Sequence, residues 1–263
     1  MCGRYASSAT PEELAEEFDI DDIVGELPGP DYNVAPTVEV PAILERRAKD
    51  DQGQATDEVR RRLTPLVWGL VPSWSKGPGT GAKMINARYE TVAAKPAFKR
   101  ACGVRRCLLP ADGYYEWYDA AKGSDGSHGK PRKQPFFIHR GDGQRLVMAG
   151  LYEFWRDPAK DADDDSAWLR TCTVITTTAT DSLGHIHDRM PMVVPADRWA
   201  GWLDPRLTDP EEARQLLTVT DADQLEAYAV SRLVSNVKNN GPELLTPLAD
   251  EPDDDVGAEE TLF

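Results

Sequence analysis

A chain of 263 residues with a 40% hydrophobic share can bury a core, as one large domain or two small ones. It holds no run of 18 apolar residues, no basic-then-apolar leader and only four cysteines. That composition argues against a helical membrane span, a secretory signal and a disulfide framework, and points to the cytoplasm. The formal charge of −15 speaks against broad phosphate contact, but −7 of it lies in the tail 250–263 and −4 in the loop 157–165.

The N-terminus reads MCGRY. Removal of Met1 would leave Cys2 first, with its α-amine and thiol on adjacent carbons. PEELAEEF (11–18) predicts a short helix, with Thr10 as N-cap, Pro11 at its first position and acids in its first turn. ERRAKDDQGQATDEVRRR (45–62) is charged throughout and reads as a solvent-exposed excursion between strands.

Short segments of strand character follow: LTPLVWGL, AKMINARYE, RRCLLP, GYYEWYD, QPFFIHR, RLVMAGLYEFW and LRTCTVITTT. Gly, Pro and Asp punctuate them, and GSDGSHGKPRK (123–133) reads as a hairpin-like loop. TDSLGHIHDRM (180–190), PADRWAGWLD and DPEEARQLLT read as helices, and LEAYAVS as a last strand. This pattern predicts an α+β fold: a single domain with an antiparallel, β-rich, barrel-like core flanked by short helices.

Alternation on GYYEWYD puts Tyr114, Glu116 and Tyr118 on one face and Tyr115 and Trp117 on the other. On a solvated face Glu116 is an ordinary surface acid; among buried aromatics its pKa would rise. AKMINARYE places Asn86, Arg88 and Glu90 on one face, either an ordinary polar strand face or one whose Asn86–Arg88 pair could hold a phosphate or carbonyl. His187, in IHDRMP, suits proton transfer beside an anion or a helix end. Trp68 reads as core, whereas Trp74, beside Pro72 and Ser73, could stack on a base. Cys102 and Cys107 lack a second Cys/His pair at zinc spacing, and Cys172 reads as core, so no metal or cofactor is expected.

Together, MCGRY, YNVAP (32–36), WGLVPSW (68–74), INARYET (85–91), PADGYYEW (110–117), KQPFFI (133–138), IHDRMP (186–191) and SNVKNNGPEL (235–244) resemble the SRAP family, the SOS-response-associated peptidase-like proteins that shield abasic sites in DNA. The resemblance implies a domain over 1–249 and an acidic, disordered tail over 250–263. It implies a monomer that senses abasic sites in single-stranded DNA and crosslinks to them through Cys2 as a thiazolidine, with lyase and self-processing peptidase activity as further implied capacities. In that reading Cys2, Asn86, Glu116 and His187 are catalytic, and Arg4, Asn33, Pro36, Trp74, Arg88 and Arg189 contact DNA. The alternative is an N-terminal-cysteine autopeptidase or amidohydrolase. The tail ends in Leu262 and Phe263, which resemble the hydrophobic plug by which replication proteins dock on sliding clamps.

Overall fold

The computed structural model describes residues 2–118, 133–161, 163–179, 186–218 and 224–248. In chain order the elements are β1 (Tyr5–Ser7), α1 (Pro11–Glu17), β2 (Asp22–Ile23), β3 (Asp31–Val34), β4 (Glu39–Lys49), β5 (Ala55–Trp68), β6 (Asn86–Arg88), α2 (Lys99–Val104), β7 (Arg106–Ala111), β8 (Gly113–Tyr118) and β9 (Gln134–Arg140). Then come β10 (Leu146–Arg156), β11 (Trp168–Thr178), β12 (Arg189–Pro191), α3 (Trp199–Leu203), α4 (Pro210–Gln215) and β13 (Leu225–Ala229).

Five strands close into a ring. β4, β7, β10 and β11 follow one another antiparallel, β5 pairs with β4, and a short parallel contact closes the circle at Val67↔Thr171 and Trp68↔Cys172. Alternation then sorts the side chains. One row of each strand points inward, among them Ala42 and Leu44, Leu66 and Trp68, Cys107 and Leu109, Tyr152, and Cys172 and Val174. The opposite row, including Ile43, Leu63, Leu108, Leu151 and Ile175, is covered by Leu14 and Phe18 from the α1 segment, Cys102 of α2 and Trp202 of α3. The predicted barrel-like core with few short helices is what forms.

A second sheet, in the order β13-β9-β8-β1-β3, packs onto one end of the ring. Its Tyr5, Tyr114 and Ile138 join the inward row, and Tyr5 meets Trp68 edge-on with ring centroids 5.1 Å apart. β1 is therefore an internal strand, held by β3 on one side and β8 on the other through Tyr5↔Val34 and Tyr5↔Tyr114. That pairing fixes where Cys2 lies.

α1 starts as its sequence predicts, with Thr10 and Glu13 in a reciprocal capping box. Two expectations are corrected. Residues 45–62 are not an excursion: β4 and β5 run through them as a long hairpin turning at 50–54, with Arg61 opposite and paired to Glu45 and Arg47 reaching across to Asp57. The C-terminal end of the expected helix 180–190 is strand β12, whose Arg189, Met190 and Pro191 pair with Thr178, Thr177 and Thr176; residues 180–185 lie outside the described residues. The loop 123–132 and the tail with Leu262 and Phe263 also lie outside them. No helix among the described residues is long and apolar enough to cross a membrane.

Two interior features anchor the frame. Arg106, beside Arg105 in the sequence, is buried, and its guanidinium donates to the carbonyls of Cys102, Gly103, Trp202, Asp204 and Leu207. It ties α2 to the end of α3. Between β5 and β6 the chain passes back-to-back with itself at Gly69 and Gly81. A Cβ on Gly69 would sit 2.8 Å from the Gly81 carbonyl oxygen, and Gly69 has φ of +135°, so neither contact nor conformation admits a side chain there.

Candidate active site at the N-terminus

Cys2 enters the end of the ring that the second sheet covers, with only 4% of its surface exposed. Its carbonyl accepts a hydrogen bond from Asn86 Nδ2 at 3.0 Å, and its Sγ lies 3.6 Å from the Arg189 carbonyl oxygen. Both partners come from strands paired with β11: β6 alongside Val174–Thr176 and β12 alongside Thr176–Thr178. The Asn86 Oδ1 is buried and has no hydrogen-bond donor among the described residues. It is fixed beside the cysteine by the amide nitrogen's bond.

Glu116 comes from β8, the strand next to β1, and is 3% exposed, which rules out a solvated surface acid. Tyr114 lies two residues earlier on the same buried face, and Phe136 is the cross-strand neighbour. The carboxyl and the Cys2 thiol lie close enough for each to shift the other's titration. Burial pushes Glu116 up to about 7; the Asp188 charge adds to the rise, while the amino terminus, the thiol and Lys133 oppose it. Burial, reinforced by the Glu116 charge, raises the Cys2 thiol well above its ordinary value. At neutral pH the thiol keeps its proton, beside a carboxyl poised to take it.

His187 completes the group. Its Nδ1 is 3.9 Å from Glu116 Oε1 and 3.1 Å from Asp188 Oδ1, and it accepts the Arg189 backbone N–H at 3.0 Å. That acceptance places the proton of the neutral ring on Nε2. The structure thus brings together all four residues expected to be catalytic: Cys2, Asn86, Glu116 and His187.

The expected DNA contacts divide. Arg88 is exposed next to Asn86 and makes no ion pair among the described residues. Arg189 is clamped by Glu90 through two contacts, at 2.7 and 3.0 Å, and donates to the Thr176 carbonyl. Arg4 donates to Asn33 Oδ1 at 2.7 Å and to the Val234 carbonyl at 2.9 Å, with its guanidinium 5.6 Å from the Trp117 ring. Asn33 is itself buried, and its amide nitrogen donates to the Asn236 and Asn239 carbonyls. Its side chain braces the 236–239 loop and presents no face to a ligand.

Pro36 is half-buried, just before Thr37 with φ of +74°. Trp74 is 66% exposed, but Val71 N bonds Thr171 Oγ1 and Trp155 Nε1 bonds the Ser75 carbonyl. Those bonds tie the segment that carries it to β10 and β11. Sequence reasoning assigned no role to Tyr114, Asp188 or Glu90. The first was legible in the alternation that singled out Glu116, whereas Glu90's partner, 99 residues away, left no local signal.

The fold is a strand ring whose covered end gathers a buried cysteine, an amide, a carboxyl and an imidazole. The chain belongs to the SOS response associated peptidase (SRAP) family, whose model matches residues 1–237. It is 39% identical over 247 residues to the abasic site processing protein YoqW of Bacillus subtilis (strain 168), covering 93% of this chain and 99% of YoqW. It is 34% identical to the abasic site processing protein YedK of Escherichia coli (strain K12), covering 94% and 100%. To the abasic site processing protein HMCES of Gallus gallus it is 30% identical, covering 94% and 78%. Among solved structures, a Bacteroides thetaiotaomicron protein shares the fold with a TM-score of 0.71 at 23% identity, over 94% of this chain and all of that one. A phage-related protein of Bordetella bronchiseptica superimposes with a TM-score of 0.60 at 28% identity, over 88% and 95%.

Proposed function

We propose that this protein processes abasic sites in single-stranded DNA by closing a thiazolidine between Cys2 and the ring-opened sugar. The observation that supports it most is the gathering of buried Cys2 and Glu116 with Asn86 and His187 at one end of the ring, the Asn86 amide on the Cys2 carbonyl at 3.0 Å and His187 Nδ1 3.9 Å from Glu116 Oε1. An abasic site in its open form carries an aldehyde. The Cys2 amine, freed by loss of Met1, attacks the aldehyde carbon and expels water, leaving an imine. The thiol then adds across the C=N bond: sulfur bonds to carbon and the thiol proton ends on nitrogen. Two new bonds to one carbon leave no iminium to promote strand cleavage.

Each neighbour has a task in this sequence. Asn86 holds the Cys2 carbonyl, and its Oδ1 offers an acceptor to the new amine N–H. Glu116 takes the thiol proton, which a buried cysteine does not release unaided, and returns it to nitrogen. His187, with Nε2–H as donor, protonates the departing hydroxyl. Arg88 engages a flanking phosphate, while Arg4 and Arg189 set the frame and complement the strand's charge. Pro36 and Trp74 offer apolar surface to neighbouring bases.

The test uses an abasic single-stranded oligonucleotide and a denaturing gel. Full-length protein should give a heat-stable adduct carried by Cys2. Cys2→Ala should lose it while retaining a borohydride-trappable imine, and a tag before Cys2 should abolish both. A tagged protein that crosslinks normally defeats the proposal.

A further inference from the structure

The two ends of the ring differ in character. Inward-facing rows that are apolar through the middle of the barrel turn basic together at the end away from Cys2. Leu44 is followed on its face by Arg46, Leu66 is preceded by Thr64 and Arg62, Cys107 by Arg105, and Cys172 by Arg170. The fifth strand supplies an aromatic instead: Phe154, whose ring centroid lies 5.4 Å from the Arg46 guanidinium and 5.2 Å from that of Arg105. β5 and β11 are hydrogen-bonded only at Val67–Trp68 and Thr171–Cys172. Beyond those pairs they part, and a cleft of about 920 Å³ opens between them with an inner hollow of about 130 Å³ beneath. Arg46, Phe154 and Arg170 line both.

We propose that this mouth binds a compact phosphorylated ligand of the nucleotide class. Arg46 and Arg170 line both the cleft and the hollow, Arg105 joins them on the cleft and Arg62 in the hollow, in a chain whose net charge is −15, a concentration that solubility does not require. Thr64, 5% exposed, faces the inner hollow with a buried Oγ1 that has no partner among the described residues. It is a hydrogen-bonding group already desolvated and still to be matched. Trp168, 49% exposed on the cleft wall, offers a face for a base. The cleft volume lies in the range of small-molecule sites.

The carboxylates of the region favour a compact ligand over a passing strand. Glu153 lies beneath, paired with Arg105 and 3.8 Å from Arg100, and Asp22 pairs with Arg62. Glu39 and Asp165 stand on the wall, Asp165 at the end of the acidic turn 157–165. A polyanionic strand would have to cross that rim twice, whereas a nucleotide occupies only the basic interior. The six residue steps along β11 from Arg170 to Thr176 put the mouth about 20 Å from the Cys2 end, so the two sites can be tested apart.

Calorimetry on the full-length protein with ADP, ATP, adenosine, inorganic phosphate and an intact 20-nucleotide single strand tests the assignment. ADP and ATP should bind saturably with Kd of about 10–100 μM, and adenosine should not. Arg46→Gln with Arg170→Gln should weaken ADP at least tenfold and leave abasic-site crosslinking unchanged. Both side chains are exposed, so the fold survives their loss, and the single variant Lys49→Glu on the rim should give a smaller loss in the same direction. Failure of ADP and ATP to bind at about 5 mM overturns the proposal. So does binding that ignores both variants, or binding by the oligonucleotide alone.

Discussion

Replacing Glu116 with Gln separates what the carboxyl does for chemistry from what it costs the fold. In the folded protein the acid titrates at about 7, against an ordinary 4.5. Between these values the folded state holds a proton that the unfolded chain has released, so stability falls as pH rises from 4.5 to about 7 and then levels off. At roughly 1.4 kcal/mol per pH unit, the full loss is about 3 kcal/mol. Gln fills the same space and carries no such penalty. The variant should match the parent at pH 4.5 and exceed it by about 3 kcal/mol at pH 8, or roughly 6–12 °C in Tm for a domain of this size. Adduct formation at pH 7 should meanwhile slow by roughly 10²–10⁴-fold. Differential scanning calorimetry at the two pH values, paired with timed crosslinking, measures both. A Tm difference that does not change with pH, or a variant less stable at pH 8, would refute the argument that burial controls this acid.

Arg106→Met leaves five carbonyls without their donor at about 1–3 kcal/mol for each one that water cannot reach; urea melts should show a loss of several kcal/mol, and Arg106→Lys should not restore it because one ammonium cannot span them. Gly69→Ala forces a Cβ against the Gly81 carbonyl at a positive φ and should cost more than about 2 kcal/mol by the same assay. Arg88→Ala should weaken binding to intact single-stranded DNA and lower the slope of log K against log salt by about one, with the crosslinking rate at saturating DNA unchanged. Because acidic residues outnumber basic ones 45 to 30, the thermal midpoint should rise between about 0.1 and 3 M KCl as self-repulsion is screened, and a flat profile would remove that reading.

Local patterns carried much of this structure. The cap of α1 is written in Thr10, Pro11 and Glu13, and period-two alternation placed Glu116 with Tyr114 on one buried face. What depended on distant partners was not legible. Charge over 45–62 suggested a loop because the pairs that make it a hairpin, such as Arg61 with Glu45, appear only once the register is known. Arg106 sits in a basic run like its neighbours, yet α3 and the turn after it supply the carbonyls that make its burial tolerable. Arg189 reads as a free phosphate ligand until Glu90 is found beside it. The arginine mouth was hidden for the same reason. Its members lie on four strands, and only closure of the ring assembles them.

The internal position of β1 has a consequence for when the protein can become active. Cys2 meets groups 84 and 187 positions further on, and Arg4 ties to the Val234 carbonyl, 230 positions away. The first residues to leave the ribosome are therefore among the last to dock. At roughly 5–20 residues per second, the terminus waits about 10–50 s before its final partners exist. During that interval Cys2 lacks the neighbours that bury it in the finished fold. The order of synthesis thus acts as a clock: the terminus stays open until the rest of the ring has been made, and closes only when its last partners arrive.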